Sequence, residues 1–253
     1  MTDLIVFKVG NNRYALKIEN IQRIIQSAEL TDIPNTHSFI DGMMSYEDGV
    51  IKILSFRKLI GAKTYDNELF DLFSTLKMAH QAWLNELVNS VEDGLPFAKT
   101  VDPHKCELGM WLDNFNSYDE NISVVLKDLM QNHKNLHILG GEVLAIVKEN
   151  KANAKEKIDS IVHDTFSKTM RNIDSFMLNI ESVANSLQKL IIYENGSSCF
   201  AIKVDTIEDI AHMEGSQLMS SEESNKNEFL ELEGVLDLDG VLINIIKSVK
   251  LPN

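Results

Sequence analysis

An internal repeat constrains the fold of this chain more than any other feature of its sequence. Residues 4–25, LIVFKVGNNRYALKIENIQRII, align without gaps with residues 190–211, LIIYENGSSCFAIKVDTIEDIA. Each copy has a run of β-branched and aromatic residues, a polar turn that contains glycine, and a second such run, which is the signature of a β-hairpin. The matching positions include Gly10 with Gly196, Tyr14 with Phe200, Ala15 with Ala201, Lys17 with Lys203, Ile21 with Ile207, and Ile24 with Ile210.

The correspondence continues beyond the two hairpins. Residues 39–54, FIDGMMSYEDGVIKIL, resemble residues 229–246, FLELEGVLDLDGVLINII, and both predict short strands joined by acidic turns that contain glycine. The matching glycines are Gly42 with Gly234, and Gly49 with Gly240. We therefore predict two similar small β-subdomains, formed by residues 1–63 and by residues 190–253.

Between the two copies the hydrophobic pattern becomes helical. Apolar residues recur at spacings of three and four, which predicts amphipathic helices. The predicted helices cover residues 69–91, 106–115, about 118–148 and about 153–187. Four helices with short connections indicate a bundle. The predicted fold class is α+β, with a helical insert at residues 64–189 that separates the two β parts.

Composition limits the function classes. The formal net charge of −14 over 253 residues argues against a nucleic-acid partner, because phosphates attract clustered lysine and arginine. No apolar run is long enough to span a bilayer, so we expect no membrane insertion. The N-terminus lacks the pattern of a secretory signal, and the chain has only two cysteines. A reducing cytoplasm is therefore the expected compartment.

Four residues of the insert could bind one metal ion. His133 and His137, in the stretch QNHKNLHILGGE, lie four residues apart and so share one face of a helix. His80 lies in the first predicted helix, and Cys106 begins the second, where the helix dipole favours a thiolate. Three imidazoles and one thiolate in a tetrahedron suit zinc.

Each of these residues also has a structural interpretation. A histidine on an apolar helix face is often a core residue, and a cysteine often packs as a small buried apolar group. His104 and His163 stay open as alternative ligands. His37 and His212 lie in the β parts without neighbouring ligand types. Cys199 is expected to be an ordinary strand thiol with no role in metal binding.

The three linked motifs of the insert resemble a known family. They are H(80)-x-x-W, C(106)-x-L-G-x-W and H(133)-x-x-L-H(137), and in this order they resemble the CZB (chemoreceptor zinc-binding) domain over about residues 66–150. That resemblance implies a zinc ion held by His80, Cys106, His133 and His137. Trp83 and Trp111 match the aromatic positions of the family, and we interpret both as packing residues.

The flanking β parts are similar to the CheW-like adaptor domain, a pair of small five-stranded barrels. The similarity rests on YALKIENIQRII and DIPNTHSFIDG in the first part, and on CFAIKVDTIEDI and LELEGVLDLDGVLINI in the second. It implies CheA-type histidine kinases and chemoreceptors as partners. One turn departs from the family, which has Asn-Leu-Arg-Gly where this chain has Ser45, Tyr46, Glu47 and Asp48. Because an acidic group replaces a basic one, the partner expectation is weakened.

The residues and the resemblance together predict a non-enzymatic adaptor that responds to zinc or to oxidants. A zinc that only staples the bundle is the main alternative. A zinc enzyme is a weaker one, because four ligands leave no open position for water. The resemblance also implies homodimers paired through the helices. The apolar stripe of the fourth helix, however, is more typical of a core than of a dimer seam. It comprises Ile158, Ile161, Phe166, Met170, Ile173, Met177, Ile180 and Val183.

Overall fold

The computed structural model describes residues 2–27, 30–115, 120–196, 198–213, 218–219 and 227–252. Its contacts divide the chain into two compact units. The sheet unit comprises Met1–Tyr65 and Ala184–Asn253, and the helical unit comprises Asp66–Val183. Strands lie before and after a helical region, so the predicted α+β fold class is confirmed.

The sheet unit is built from short strands, a 3₁₀ turn at Ile18–Asn20 and the short α-helix α1 (Phe56–Leu59). The strands are β1 (Thr2–Val9), β2 (Asn12–Lys17), β3 (Ile21–Gln26), β4 (Ile40–Tyr46), β5 (Gly49–Ser55), β6 (Lys189–Asn195), β7 (Ser198–Val204), β8 (Thr206–Met213), β9 (Leu218–Met219), β10 (Leu230–Leu238) and β11 (Val241–Val249). Both predicted hairpins are confirmed, since β1 pairs with β2 and β6 pairs with β7, each in antiparallel register.

Each sheet takes strands from both halves of the sequence. The strand orders are β8-β1-β2-β11-β10-β9 and β3-β6-β7-β5-β4. Each hairpin therefore lies between strands of the other half, through parallel pairing of β2 with β11 and of β5 with β7. The prediction that residues 1–63 and 190–253 each form their own subdomain is wrong. Because the two copies share one apolar pattern, that pattern fits either set of partners, and only long-range pairing selects between them.

Two repeat glycines allow an outer segment to approach its sheet closely. A Cβ on Gly42 would lie 2.6 Å from the carbonyl oxygen of Thr31, and one on Gly234 would lie 2.5 Å from that of Met219. Thr31 forms a single bridge to Met43, whereas the segment of Met219 forms the short strand β9. The described residues therefore give one five-stranded and one six-stranded sheet, where the resemblance implied two of five.

The repeat lysines form ion pairs that join the two halves. Nζ of Lys203 lies 2.5 Å from Oδ2 of Asp41, and Nζ of Lys17 lies 2.9 Å from Oε2 of Glu233. Each acidic residue immediately precedes one of the two close-approach glycines. The Lys203 pair is the more buried, with side chains 10% and 8% exposed against 24% and 29%.

A buried ion pair lies where the chain leaves and re-enters the sheet unit. The guanidinium of Arg57 donates from Nε and Nη2 to the two carboxylate oxygens of Asp205, at 2.7 and 2.6 Å. Its Nη1 donates to the carbonyl of Lys63 at 2.7 Å, and its Cζ lies 4.8 Å from the ring centre of Tyr65. The carboxylate also accepts from the backbone N–H of Gly10 at 2.7 Å. Every strong donor and acceptor of this pair is therefore used within the chain.

The helical unit and its junctions contain six helices among the described residues. They are α2 (Tyr65–Glu92), α3 (Glu107–Asn114), α4 (Glu120–Ile146), α5 (Lys151–Ile161), α6 (Ser167–Leu178) and α7 (Ile180–Leu187). The first three predicted helices are confirmed, although Tyr118, the predicted start of the third, lies outside the described residues. In the part of the chain that the structure describes, no helix is long and apolar enough to cross a membrane.

The fourth predicted helix, residues 153–187, is not continuous. A π-helical turn at Val162–Phe166 separates α5 from α6, and a break at Asn179 separates α6 from α7. The hydroxyl of Ser167 donates to the carbonyl of Val162, five residues back, at 2.6 Å. A π-helical turn has more residues than an α-helical turn, so it shifts the positions at which apolar residues face the core. The spacing of apolar residues in the sequence does not reveal such a turn. Most of the predicted apolar stripe is buried within one chain, as expected for a core: Ile158, Ile161, Phe166, Ile173 and Val183 are buried.

Candidate metal centre

His80 lies on the buried face of α2 and is oriented by the backbone of its own helix. Its Nδ1 lies 2.8 Å from the carbonyl oxygen of Leu76, one turn earlier. A carbonyl can only accept, so Nδ1 carries the proton and Nε2 keeps its lone pair. Nε2 points toward the sulfur of Cys106, 3.8 Å away. This is the tautomer that a metal ligand needs.

Cys106 is the N-cap of α3. Its Sγ accepts a hydrogen bond from the backbone N–H of Gly109 at 3.3 Å and donates to the carbonyl of Pro103 at 3.6 Å. Gly109 is necessary here because a Cβ would lie 1.6 Å from that same carbonyl oxygen. The glycine of the motif CELG therefore permits the tight turn that directs the thiol toward the histidines.

His133 and His137 lie one turn apart on α4, with ring centres separated by 4.7 Å. Nε2 of His133 lies 3.0 Å from Sγ of Cys106. The two rings are 2% and 0% exposed, so neither can be a solvated surface histidine. The periodicity of an α-helix thus places both imidazoles on the inner face, as predicted from their spacing.

The four predicted ligands come together in one cluster. One donor atom from each of them lies within 4.8 Å of the other three. Bonds of about 2.0–2.3 Å to zinc place tetrahedral donors about 3.3–3.8 Å apart, so small side-chain rotations suffice. Within the described part of the chain, no carboxylate belongs to this group. The donor set fits a closed zinc site.

Burial controls the protonation of all four side chains. Desolvation lowers the pKa of His133 to about 3 and that of His137 to about 4, and neighbouring imidazoles add to both shifts. The pKa of His80 is also lowered, mainly by burial. At neutral pH the three rings are therefore uncharged and able to donate lone pairs.

Two opposing effects act on the thiol of Cys106. Burial raises its pKa, and the N–H groups of Gly109 and Leu108 at the start of α3 oppose that rise without cancelling it. The helix start favours the thiolate, as predicted, but burial outweighs this effect in the chain alone. A bound cation would supply the missing stabilisation of the negative charge.

His137 is the least satisfied member of the cluster. Neither of its ring nitrogens forms a hydrogen bond, and both are buried. The carbonyl of Thr100 is close enough to oppose the fall in its pKa, although it does not reach hydrogen-bond geometry. A buried imidazole without partners costs free energy, so this ring points to a ligand from outside the chain.

The remaining histidines and the second cysteine lie away from the cluster. His104 bonds Asp113 at 2.8 Å on the surface, and His163 is an exposed residue of the π-helical turn. The others have local partners: His37 packs on Phe39 and Phe229, His212 bonds Asp3 at 2.7 Å, and Cys199 lies 4.0 Å from Oε1 of Gln22. His104 and His163 therefore lie outside the four-residue cluster.

Two features of the centre were missed from the sequence. Gly140 has no room for a side chain, because a Cβ would lie 2.3 Å from the ring of Trp83. Trp83 does more than pack, since its indole Nε1 donates to the carbonyl of Thr100 at 2.8 Å. The double glycine of ILGGE was a sequence signal for the close approach of Trp83 to α4. The hydrogen bond from Trp83 to Thr100 has no such signal, because every residue has a backbone carbonyl.

Known families match two segments of the chain. Residues 3–75 match the CheW-like domain, and residues 80–144 match the chemoreceptor zinc-binding domain, which includes all four clustered residues. A chemotaxis protein CheW from Thermotoga maritima is 20% identical over 59 residues, which are 23% of this chain and 39% of that protein. The chain therefore matches less than half the length of this relative.

A solved structure was also compared. The scaffolding protein TtCheW from Thermoanaerobacter tengcongensis aligns with 97% of this chain and 88% of its own, at 11% identity and a TM-score of 0.46. The two family matches carry the assignment, and they agree with the motifs in residues and in order. This chain carries a CheW-like domain followed by a chemoreceptor zinc-binding domain.

Proposed function

We propose that the protein is a non-enzymatic signalling adaptor that binds one zinc ion through His80, Cys106, His133 and His137. The observation that carries this proposal is a cluster of three buried histidines and the half-buried Cys106, in which His137 lacks any hydrogen bond. Leaving a buried polar group unpaired costs about 1–3 kcal/mol, and a bond to a metal removes that cost.

Zinc would join three separate helices of the helical unit. His80 belongs to α2, Cys106 caps α3, and the other two histidines belong to α4. Bound zinc supplies positive charge that keeps a thiolate ionised, and its binding free energy adds to folding free energy. With four protein ligands there is no open position for a reactive water, which argues for a binding role and against catalysis.

The adaptor role follows from the CheW-like match, and its partners are part of the proposal. We propose CheA-type histidine kinases and chemoreceptors as the partner class, in the cytoplasm. The β4–β5 turn contributes Glu47 and Asp48 to the sheet unit, and β5 then begins with Gly49 and the exposed Val50. A partner that binds this turn needs a basic counterpart, since like charges across an interface lower affinity.

The first experiment measures metal. Elemental analysis and native mass spectrometry of the purified full chain should give one zinc per chain. The His133→Ala/His137→Ala variant should have none, and a Cys106→Ser variant keeps the volume of the site while weakening it. A wild-type protein that stays metal-free after zinc supplementation would refute the metal site and leave the adaptor proposal standing.

The second experiment asks whether the site is a sensor. Affinity for a chemoreceptor cytoplasmic fragment and for a CheA-type kinase is compared between zinc-bound wild type, oxidised wild type and Cys106→Ala. Oxidation of the thiolate removes a ligand, so the oxidised protein should resemble the alanine variant. Equal affinities in all three would reject sensing, and zinc would then only stabilise the helical unit.

A further inference from the structure

Both ring nitrogens of His137 are buried without a hydrogen bond. His80, by contrast, bonds the carbonyl of Leu76. Metal-binding imidazoles almost always donate their other N–H to a carbonyl, a carboxylate or water, which fixes the tautomer and the ring plane. The surroundings of His137 therefore show which group of this chain takes that role.

The carbonyl of Thr100, which opposes the fall in the pKa of His137, belongs to a segment that is bonded to α2. The indole Nε1 of Trp83 donates to the carbonyl of Thr100 at 2.8 Å. Oε1 of Glu86 accepts from the backbone N–H groups of Ala98 and Lys99 at 2.6 and 3.3 Å. The segment before Cys106 is thus held by two side chains of the same helix, and the Thr100 carbonyl has a defined position.

The indole has a defined position as well. Its ring centre lies 5.0 Å from that of His137, and the two planes are inclined by 54°. A Cβ on Gly140 would lie 2.3 and 2.7 Å from two of its ring carbons, so the ring occupies the space above α4 that a side chain would need. Trp83 therefore contacts His137 with its ring and the Thr100 carbonyl with its N–H.

We propose that Trp83 is a positioning residue for the metal centre. Its indole N–H holds the Thr100 carbonyl beside His137, where this carbonyl can accept a hydrogen bond from the nitrogen that does not bind metal once a bound metal orients the ring. This inference rests on the proposed zinc site and adds a specific requirement to it. The requirement is for the N–H of the indole, which phenylalanine lacks, and not only for an aromatic ring.

The test removes the N–H and keeps a ring. Trp83→Phe is compared with wild type and with Trp111→Phe, a matched control in the same unit whose ring packs on Phe73 at 4.8 Å. Zinc affinity is measured by competition with a chelator. Loss of a group that orients a ligand typically lowers affinity about 10–100-fold, and we expect that loss for Trp83→Phe only.

A second readout separates positioning from general packing. In zinc-loaded protein, ¹⁵N NMR of the imidazole nitrogens should show a shifted N–H signal for His137 in Trp83→Phe. The signal of His80 should stay unchanged, because its carbonyl partner belongs to Leu76. Thermal unfolding without metal checks that both variants fold.

Three outcomes would overturn the inference. Trp83→Phe could have wild-type affinity and an unchanged His137 signal, or the two variants could lose affinity equally. In either case wild type still binds zinc and the proposed function survives. The third outcome is a wild type that binds no zinc, and it removes both proposals together.

Discussion

The two units of this protein both bury a polar cluster, but they satisfy it in different ways. In the sheet unit, Arg57 donates two hydrogen bonds to Asp205, and both side chains also bond backbone groups of the same unit. In the helical unit, His137 has no hydrogen bond at all. The first cluster is complete within the chain, whereas the second requires a ligand from solution.

Because of this difference, the stability of each unit depends on a different condition. The stability that a complete buried ion pair provides depends only on the presence of both side chains. The stability of a unit with an empty buried donor set depends on the concentration of the cation that the set binds. We therefore expect the stability of the sheet unit to respond mainly to mutation, and that of the helical unit to respond to metal as well.

The largest effect is expected from breaking the complete cluster. Asp205→Ala leaves the buried guanidinium of Arg57 without its carboxylate, and removing one partner of a buried pair costs about 3–5 kcal/mol. The loss in free energy of unfolding is measured by denaturant titration, with hydrogen exchange of the strand amides as the probe of the sheet unit. Glu208→Ala, which removes the partner of Arg13 from a more exposed pair, should cost about 0–1 kcal/mol. Equal losses would contradict the distinction.

Zinc binding to the cluster of the helical unit should give the next largest change in the free energy of unfolding. Zinc at about 100 times its Kd raises the free energy of unfolding by about 2.7 kcal/mol if only the folded state binds. Both tryptophans, Trp83 and Trp111, lie in the helical unit, so their fluorescence reports its unfolding. Cys106→Ser should lose most of the increase. An unchanged midpoint in wild type with excess zinc would show that the cluster binds no metal.

The two repeated ion pairs of the sheet unit differ in burial and should differ in strength. Lys203→Met leaves the buried Asp41 with Lys58 as its remaining cation, at 2.9 Å, and should cost about 1.5–3 kcal/mol. Lys17→Met affects the more exposed pair with Glu233 and should cost about 0–1 kcal/mol. Chemical denaturation of both variants tests the ranking. A larger loss at Lys17 would mean that burial does not set the strength of these pairs.

Substitutions at two neighbouring glycines are expected to have opposite effects on stability. Gly140→Ala places a Cβ against the ring of Trp83 and should cost about 1–3 kcal/mol by overpacking. A Cβ on Gly141 would be 3.8 Å from its nearest neighbour, so Gly141→Ala should stabilise α4 by up to about 1 kcal/mol. Thermal unfolding of the metal-free variants compares them. Destabilisation of similar size at both positions would contradict the assigned packing.

The sequence predicted those features that lie close together along the chain. Hairpin strands, helices and the four clustered donors all carry a short-range pattern, and the three motifs of the insert preserve ligand order. The contact between Arg57 and Asp205 joins residues 148 positions apart, and no short-range sequence pattern predicts it. The exchange of hairpins had one available signal. Lys17 and Lys203 repeat, and so do the acidic residues before Gly42 and Gly234, which are the partners that each lysine takes from the opposite half.

That exchange of hairpins has a consequence for the order of events during synthesis on the ribosome. The strand β2 ends at Lys17, and its neighbour β11 begins at Val241. At about 5–20 residues per second, the first hairpin waits roughly 10–50 s for this partner to be made. The helical unit lies wholly between them and its contacts are more local, so it can fold first. The nascent chain can therefore form its candidate metal centre before either sheet is complete, and its unpaired strand edges need protection until then.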